Sequence, residues 1–150
     1  MSTDLAAQTA ATTATAASET PLTIPVAIVG FGWMGRVHAQ AYARIRHHFP
    51  TLHPVPQLTV IADELADRAG EAARQFGVDA VVTDWRDVVS DNSIAAVSVT
   101  APNFLHREIG VAVASAGKHL WIEKPVGLTA ADARAVADAA AAAGVATAVG

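Results

Sequence analysis

Six residues, Gly30-Phe31-Gly32-Trp33-Met34-Gly35, constrain this chain more than any others. The spacing is G-x-G-x-x-G, a common pattern whose meaning depends on its setting. Val26-Ala27-Ile28-Val29 precedes it, an apolar run ended by glycine, which predicts a buried parallel strand. Met34, Val37, His38, Ala41, Tyr42, Ile45 and Phe49 recur at three- and four-residue spacing, which predicts a helix with one apolar face, stopped by Pro50. A strand that turns sharply into a helix needs Gly30 for the turn. Gly32, with no Cβ, would let a pyrophosphate approach the main chain, and Gly35 would let helix and strand pack closely. The free N–H groups and positive dipole end of the helix would face that anion, the dipole contributing about 0.3–1 kcal/mol. Gly30 and Gly35 also have P-loop spacing, but Arg36-Val37 follows instead of Lys and Ser or Thr, which disfavours nucleoside triphosphate hydrolysis.

The strand–helix alternation continues to the end of the chain. Further strands are expected at Leu58–Ala62, Ala80–Thr83, Ala95–Thr100, His119–Ile122 and Val145–Val149. The segment from Phe49 to Gln57 reads as a loop. Helices are expected from Leu65 to Phe76, closed by Gly77, and from Asn103 to Ala116, ended by Gly117. A third, Thr129 to Ala143, opens on a Thr129…Asp132 cap pattern and ends at Gly144, and its Ala139–Ala143 run reads as close helix–sheet packing. Trp85–Val89 is a short helical turn. This rhythm predicts an α/β fold, a doubly wound parallel sheet of about six strands in the order 3-2-1-4-5-6. Residues 1–22, mostly Ala, Thr and Ser, read as a flexible tail, and residues 23–150 as the folded domain.

Composition narrows the function. The 150 residues are 52% hydrophobic and 16% charged, with net charge −4, mean hydropathy +0.33 and pI about 5.8. A core is affordable, and an electrostatic grip on nucleic acid or an anionic membrane is disfavoured. No cysteine is present, so disulfides, thiolate metal sites and cysteine nucleophiles are excluded. No apolar stretch reaches membrane-spanning length and no secretory leader is recognisable, so a cytoplasmic protein is expected. His47, His48 and His53 cluster without acidic or Cys companions, so no metal site is expected. Trp33, Trp85 and Trp121 read as packing residues.

In a doubly wound sheet, ligands bind beyond the carboxyl ends of the strands. Asp63 stands there after the second strand, where its carboxylate can accept hydrogen bonds from a ribose. It would repel a 2′-phosphate by up to about 4 kcal/mol at close range, so NAD is expected over NADP. Arg68 reads as a solvated helix-face residue that could still accommodate such a phosphate. After the fourth strand come Thr100-Ala101-Pro102-Asn103 and, one turn on, His106. Asn103 can cap the following helix, touch a ligand, or do both. After the fifth strand comes Glu123-Lys124-Pro125. Lys118 and Lys124 are the only lysines, and burial of the Lys124 ammonium at a strand end would lower its pKa for acid–base work. The competing reading is a surface lysine at a turn.

Taken in this order and spacing, the Gly30–Gly35 fingerprint, the Thr100–His106 segment and the Glu123-Lys124-Pro125 triplet resemble the Gfo/Idh/MocA oxidoreductases, the glucose–fructose oxidoreductase and inositol dehydrogenase family. The resemblance covers about Ile24 to Gly150, and the triplet is its most specific part. It implies a Rossmann domain that binds NAD(P), with Gly30, Phe31, Gly32, Trp33, Met34, Gly35 and Asp63 at the cofactor. It also implies that Thr100, Pro102, Asn103 and His106 border the nicotinamide. Glu123 would support cofactor or loop, Pro125 would be cis, and Lys124 would touch the reacting substrate oxygen. Ala101 is a departure, inserted where many members read Thr-Pro-Asn directly. Family members usually form homo-oligomers and continue into a second α/β domain that shapes the substrate pocket. That domain is expected to be absent from this chain.

The expected function is hydride transfer between a nicotinamide and an alcohol carbon of a small sugar or polyol, with Lys124 managing the hydroxyl proton. A non-catalytic dinucleotide-binding or regulatory module is the alternative. An S-adenosylmethionine methyltransferase, which also uses a glycine loop and a ribose-binding acid, is a third.

Overall fold

The computed structural model describes residues 22–150, so the expected tail lies outside the described residues except for Leu22. Six parallel strands form one sheet: β1 (Thr23–Val29), β2 (Val55–Ala62), β3 (Ala80–Val82), β4 (Ala96–Val99), β5 (His119–Ile122) and β6 (Thr147–Val149). Their order, β3-β2-β1-β4-β5-β6, is the expected one. Helices α1 (Trp33–His48) and α2 (Ala66–Phe76) cover one face; α3 (Trp85–Ser90), α4 (His106–Ser115) and α5 (Ala130–Ala143) cover the other.

Alternation along the strands explains the two cores. Ala27 and Val29 of β1 join Val60, Val97, Val99, Leu120 and Ile122 beneath Ile109 and Val113 of α4. Ile28 points the other way and packs with Ile61, Phe31 and the alanines Ala39, Ala69, Ala72 and Ala73 of α1 and α2. A sheet buried on both faces carries apolar residues at successive positions, hence the uninterrupted runs in the sequence.

Several expectations need correction. β1 begins at Thr23 and β2 at Val55, each three residues early, because Thr23–Pro25 pair with Val55–Gln57 before a register shift between Val26 and Ala27. The residues after β4 open with a 3-10 turn over Asn103–Leu105, and α4 starts only at His106. Val37 and Ala41 of α1 are exposed, as is Phe49 just beyond its end, so the apolar face is narrower than the spacing predicts. Trp33 is 77% exposed rather than packed. The alanine run of α5 lies against α4 more than the sheet, and of Ala139–Ala143 only Ala140 is buried. Gly77 and Gly144 close their helices in the left-handed conformation, as the sequence suggests.

Candidate functional site

The carboxyl ends of β1, β2, β4 and β5 converge on the glycine loop. Gly30 has φ +87°, and a Cβ there would lie 2.6 Å from the Ala101 backbone, so only glycine is accommodated. A Cβ on Gly35 would run into the Gly30 carbonyl, which also accepts the Thr100 hydroxyl proton. Gly32 is different: a Cβ there would meet no protein atom within 4 Å. The protein has no steric need for glycine at this position, so the space in front of it is free for something else.

Helix α1 begins at that space. Gly32 is its N-cap, without a side chain to bond the first N–H groups, and no acidic residue sits in its first turn. The other four α-helices described carry Asp67, Asp87, Glu108 or Asp132 there, and α5 has a complete capping box from Thr129 and Asp132. The α1 terminus thus keeps its positive end uncompensated, a suitable seat for an anion.

Two clefts meet at this point. One, about 380 Å³, runs toward β2 and β3 between Glu64, Arg68, Trp85, Arg86 and Leu105. The other, about 490 Å³, runs toward β4 and β5 past Trp33, Asn103, His106, Glu123 and Lys124. Gly30, Asp63, Arg68, Ala101 and Pro102 line both, so the clefts form one groove with its middle at the glycine loop.

Asp63 is buried at the junction. Its carboxylate accepts the Phe31 N–H at 2.6 Å, the Leu65 N–H at 2.9 Å and the Arg68 guanidinium at 2.6 Å. Burial alone would raise its pKa. The Arg68 guanidinium and the Leu65 and Phe31 N–H groups outweigh burial and hold the carboxyl below the ordinary carboxylate range. Asp63 therefore fastens the glycine loop to β2. A carboxylate offers about four acceptor positions, and three of these are filled within the protein. Arg68 is exposed on the first turn of α2, as expected, and its guanidinium also pairs with Asp63.

On the other side, Glu123 is buried and accepts from His38 Nε2 at 2.9 Å, across the sheet from α1. The His38 ring stacks on Trp121, centroids 3.9 Å apart. His106 is also buried, with Nδ1 2.7 Å from the Pro125 carbonyl and Nε2 2.8 Å from the Ala101 carbonyl. The Lys124–Pro125 peptide is cis, as the resemblance implies. Lys124 itself is exposed, so this domain does not supply the burial anticipated for it.

Most of the expected site residues line the groove: Gly30, Gly32, Trp33, Met34, Asp63, Thr100, Pro102, Asn103, His106, Glu123 and Lys124. Phe31 contributes only its backbone, since its ring packs edge-on against Phe76 in the core. Gly35 acts through close packing. Asn103 makes no capping bond, because Pro102 precedes the 3-10 turn and Leu105 precedes α4. Sequence reasoning missed the Glu123 partner His38 and the Trp85–Arg86 wall. The GxxH spacing from Gly35 to His38 was the one available signal for the first, and nothing local marked the second. Among the described residues, no group of three or more His, Asp or Glu side chains could hold a metal, and no helix is long and apolar enough to cross a membrane.

Comparison with known proteins agrees with the fold. The model of the Gfo/Idh/MocA family, an oxidoreductase family with an NAD-binding Rossmann fold, matches residues 24–150. Levoglucosan dehydrogenase of Pseudarthrobacter phenanthrenivorans is 40% identical over 114 residues, covering 76% of this chain and 29% of that protein. Inositol 2-dehydrogenase of Salmonella typhimurium is 31% identical over 119 residues, covering 79% and 33%. A levoglucosan dehydrogenase structure in complex with NADH superposes with TM-score 0.81 at 37% identity, covering 85% of this chain and 34% of that one. The chain spans about a third of the length of the curated relatives it matches.

Proposed function

Because the chain belongs to the Gfo/Idh/MocA oxidoreductase family, we propose that residues 23–150 form the cofactor-binding part of an NAD-dependent dehydrogenase of sugars or polyols. Membership in the family removes the methyltransferase reading. The observation that carries the proposal is the contrast at the glycine loop: Gly30 and Gly35 are required by the fold, whereas Gly32 opens onto empty space before an uncapped helix.

In this reading the first-turn N–H groups of Trp33, Met34 and Gly35 hold the diphosphate of NAD. The β2–β3 cleft takes the adenosine, with the remaining acceptor position of Asp63 open to a ribose hydroxyl. The β4–β5 cleft takes the nicotinamide beside Thr100, Pro102, Asn103 and His106. Bound NAD supplies the hydride acceptor. Lys124, at the rim of that cleft, holds the substrate hydroxyl and receives or relays its proton as the C–H bond breaks. Substrates with several adjacent hydroxyls are favoured because the similar proteins are named for levoglucosan and inositol.

Fluorescence titration with NADH tests the proposal. Gly32→Leu should lower affinity at least about 100-fold, which is about 2.7 kcal/mol. Its thermal midpoint should stay near that of the parent, since the new side chain meets no protein atom. Unchanged affinity would overturn the assignment. Lys124→Met should leave NADH affinity within about threefold. In a chain that also carries a substrate domain, it should remove most polyol oxidation.

A further inference from the structure

The three tryptophans of the chain are used differently. Trp85 lies under the Arg86 guanidinium at 4.4 Å, and Trp121 stacks on His38 with centroids 3.9 Å apart. Both are half-buried. Trp33 is 77% exposed, and among the described residues its ring forms no aromatic or cation–π pair. The fold gains little from this side chain. An exposed indole buries little apolar surface, and tryptophan is only a middling helix former. An acidic residue in the first turn of α1 would stabilise that end more, and none is there. Nor does the diphosphate need the indole, because every residue except proline offers the same main-chain N–H.

Its place supplies a use. Trp33 lines the β4–β5 cleft together with Asn103, Glu123, Lys124 and Pro125. Among the described residues it is the one large exposed apolar side chain in that cleft, since Phe104, 68% exposed, lines the other. One cleft therefore joins polar groups that can bond hydroxyls to a broad plate whose only hydrogen-bonding group is an N–H. That combination suits one class of molecule. A cyclic polyol in its chair form directs equatorial hydroxyls outward from its rim and axial C–H bonds from its two faces. The C–H hydrogens carry a slight positive charge, and the indole face is negative. Stacking also takes apolar surface of both partners out of water. An open-chain polyol has no such face.

We propose that Trp33 is a substrate-binding residue: its indole is the platform on which the C–H face of a cyclic polyol lies while Lys124 holds a hydroxyl at the rim. The inference rests on the dehydrogenase reading and narrows its substrate class from sugars and polyols in general to ring forms. Two contacts of different kind fix the ring more fully than either alone. The platform confines it to a plane, and the ammonium selects a hydroxyl on its edge. One ring carbon is thereby presented to the nicotinamide in one orientation.

NMR of the indole N–H groups tests the platform, with the chain saturated by NADH and the Trp33 signal assigned through the main chain. The ring probe is scyllo-inositol, whose hydroxyls are all equatorial and whose two faces are all C–H; mannitol is the open-chain control. Neither reacts, because cofactor and polyol are both in the reduced state. The Trp33 indole signal should move at least about three times further with scyllo-inositol than with mannitol at equal concentration. The Trp85 and Trp121 signals should stay in place. A Trp33 signal that ignores both polyols, or answers them equally, would overturn the platform. This measurement needs no variant, so it decides the matter even if a substitution at Trp33 fails to fold. The second measurement reads saturation transfer from protein to scyllo-inositol protons, each protein at saturating NADH so that cofactor affinity does not enter. Transfer should fall at least about threefold in Trp33→Ala and return to near the parent level in Trp33→Phe. Undiminished transfer in a folded Trp33→Ala, recognised by its kept Trp85 and Trp121 signals, would overturn the proposal. The two failures separate. If NADH leaves the main-chain signals of Gly32 and Trp33 unmoved, the dehydrogenase reading falls and the platform with it. If those signals move and scyllo-inositol leaves the indole unmoved, only the platform falls.

Discussion

On the β2–β3 side of the groove the charged groups face water. Arg86 lies over the Trp85 ring at 4.4 Å and pairs with Asp84 and Glu108, all three more than half exposed. On the β4–β5 side two histidines are buried with their partners, His38 on Glu123 and His106 between two carbonyls. The first arrangement can adjust to a ligand at little cost. The second cannot move without stranding a buried donor or acceptor. The division matches the two tasks proposed for the halves, since an adenosine needs only to be held and a reacting ring must be held in register with a substrate. In that proposal rigidity is concentrated where geometry would decide the rate.

If that contrast is real, cutting the buried side should cost the most. His38→Ala removes the ring stacked on Trp121 and leaves the Glu123 carboxylate buried without its partner. The expected loss is roughly 3–5 kcal/mol, large against the total stability of a small domain. Urea denaturation measures it. A loss below about 1 kcal/mol would mean that this side is no more rigid than the other.

The sequence showed the two halves unequally. Strand number and order were legible because short apolar runs such as Val26–Val29 and Ala96–Val99 alternate with amphipathic helices, and that rhythm admits few topologies. The early part of β2 was not, since Val55-Pro56-Gln57 becomes a strand only by pairing with Thr23–Pro25. The glycine loop and Asp63 were legible because their chemistry is local. His38 and Glu123 lie 85 positions apart, and only the folded sheet brings them together. His106 could be placed near the groove, but not its two carbonyl partners, because one of them lies 19 residues downstream in the loop after β5. Trp33 misled because a large aromatic usually packs, whereas here it stands in the first turn of α1 at the groove beyond the carboxyl ends of the strands.

Asp63 sits between the halves and should give an intermediate effect. Asp63→Asn keeps the shape but loses the charge that holds Arg68 and the Phe31 N–H. About 2 kcal/mol of stability should go at neutral pH, with NADH affinity falling about tenfold. The effect has a pH signature. The folded-state carboxyl lies below its unfolded value of about 4, so its contribution is full above that pH. It is lost as pH falls through the folded value. The stability gap between parent and variant should therefore close on acidification. Asp84 and Asp91, also held low by hydrogen bonds to Arg86 and Ser93, titrate in both proteins and cancel from the difference. A gap that stays constant down to the acid limit would remove Asp63 from the loop.

The smallest change should come from the exposed side. Arg86→Ala removes two surface ion pairs and the guanidinium over Trp85. Exposed pairs of this kind contribute little, because water screens them and two long side chains must be ordered to form them. The thermal midpoint should move by less than about 3 °C. NADH affinity should fall only a few-fold, through the lost wall of the β2–β3 cleft. The informative outcome is the ratio between the two losses. If Arg86→Ala destabilised the domain as much as His38→Ala, the exposed network would be holding the sheet and the contrast between the halves would be false. If it weakened NADH binding while leaving the melting curve in place, that half of the groove would be a surface that binds without bracing the fold.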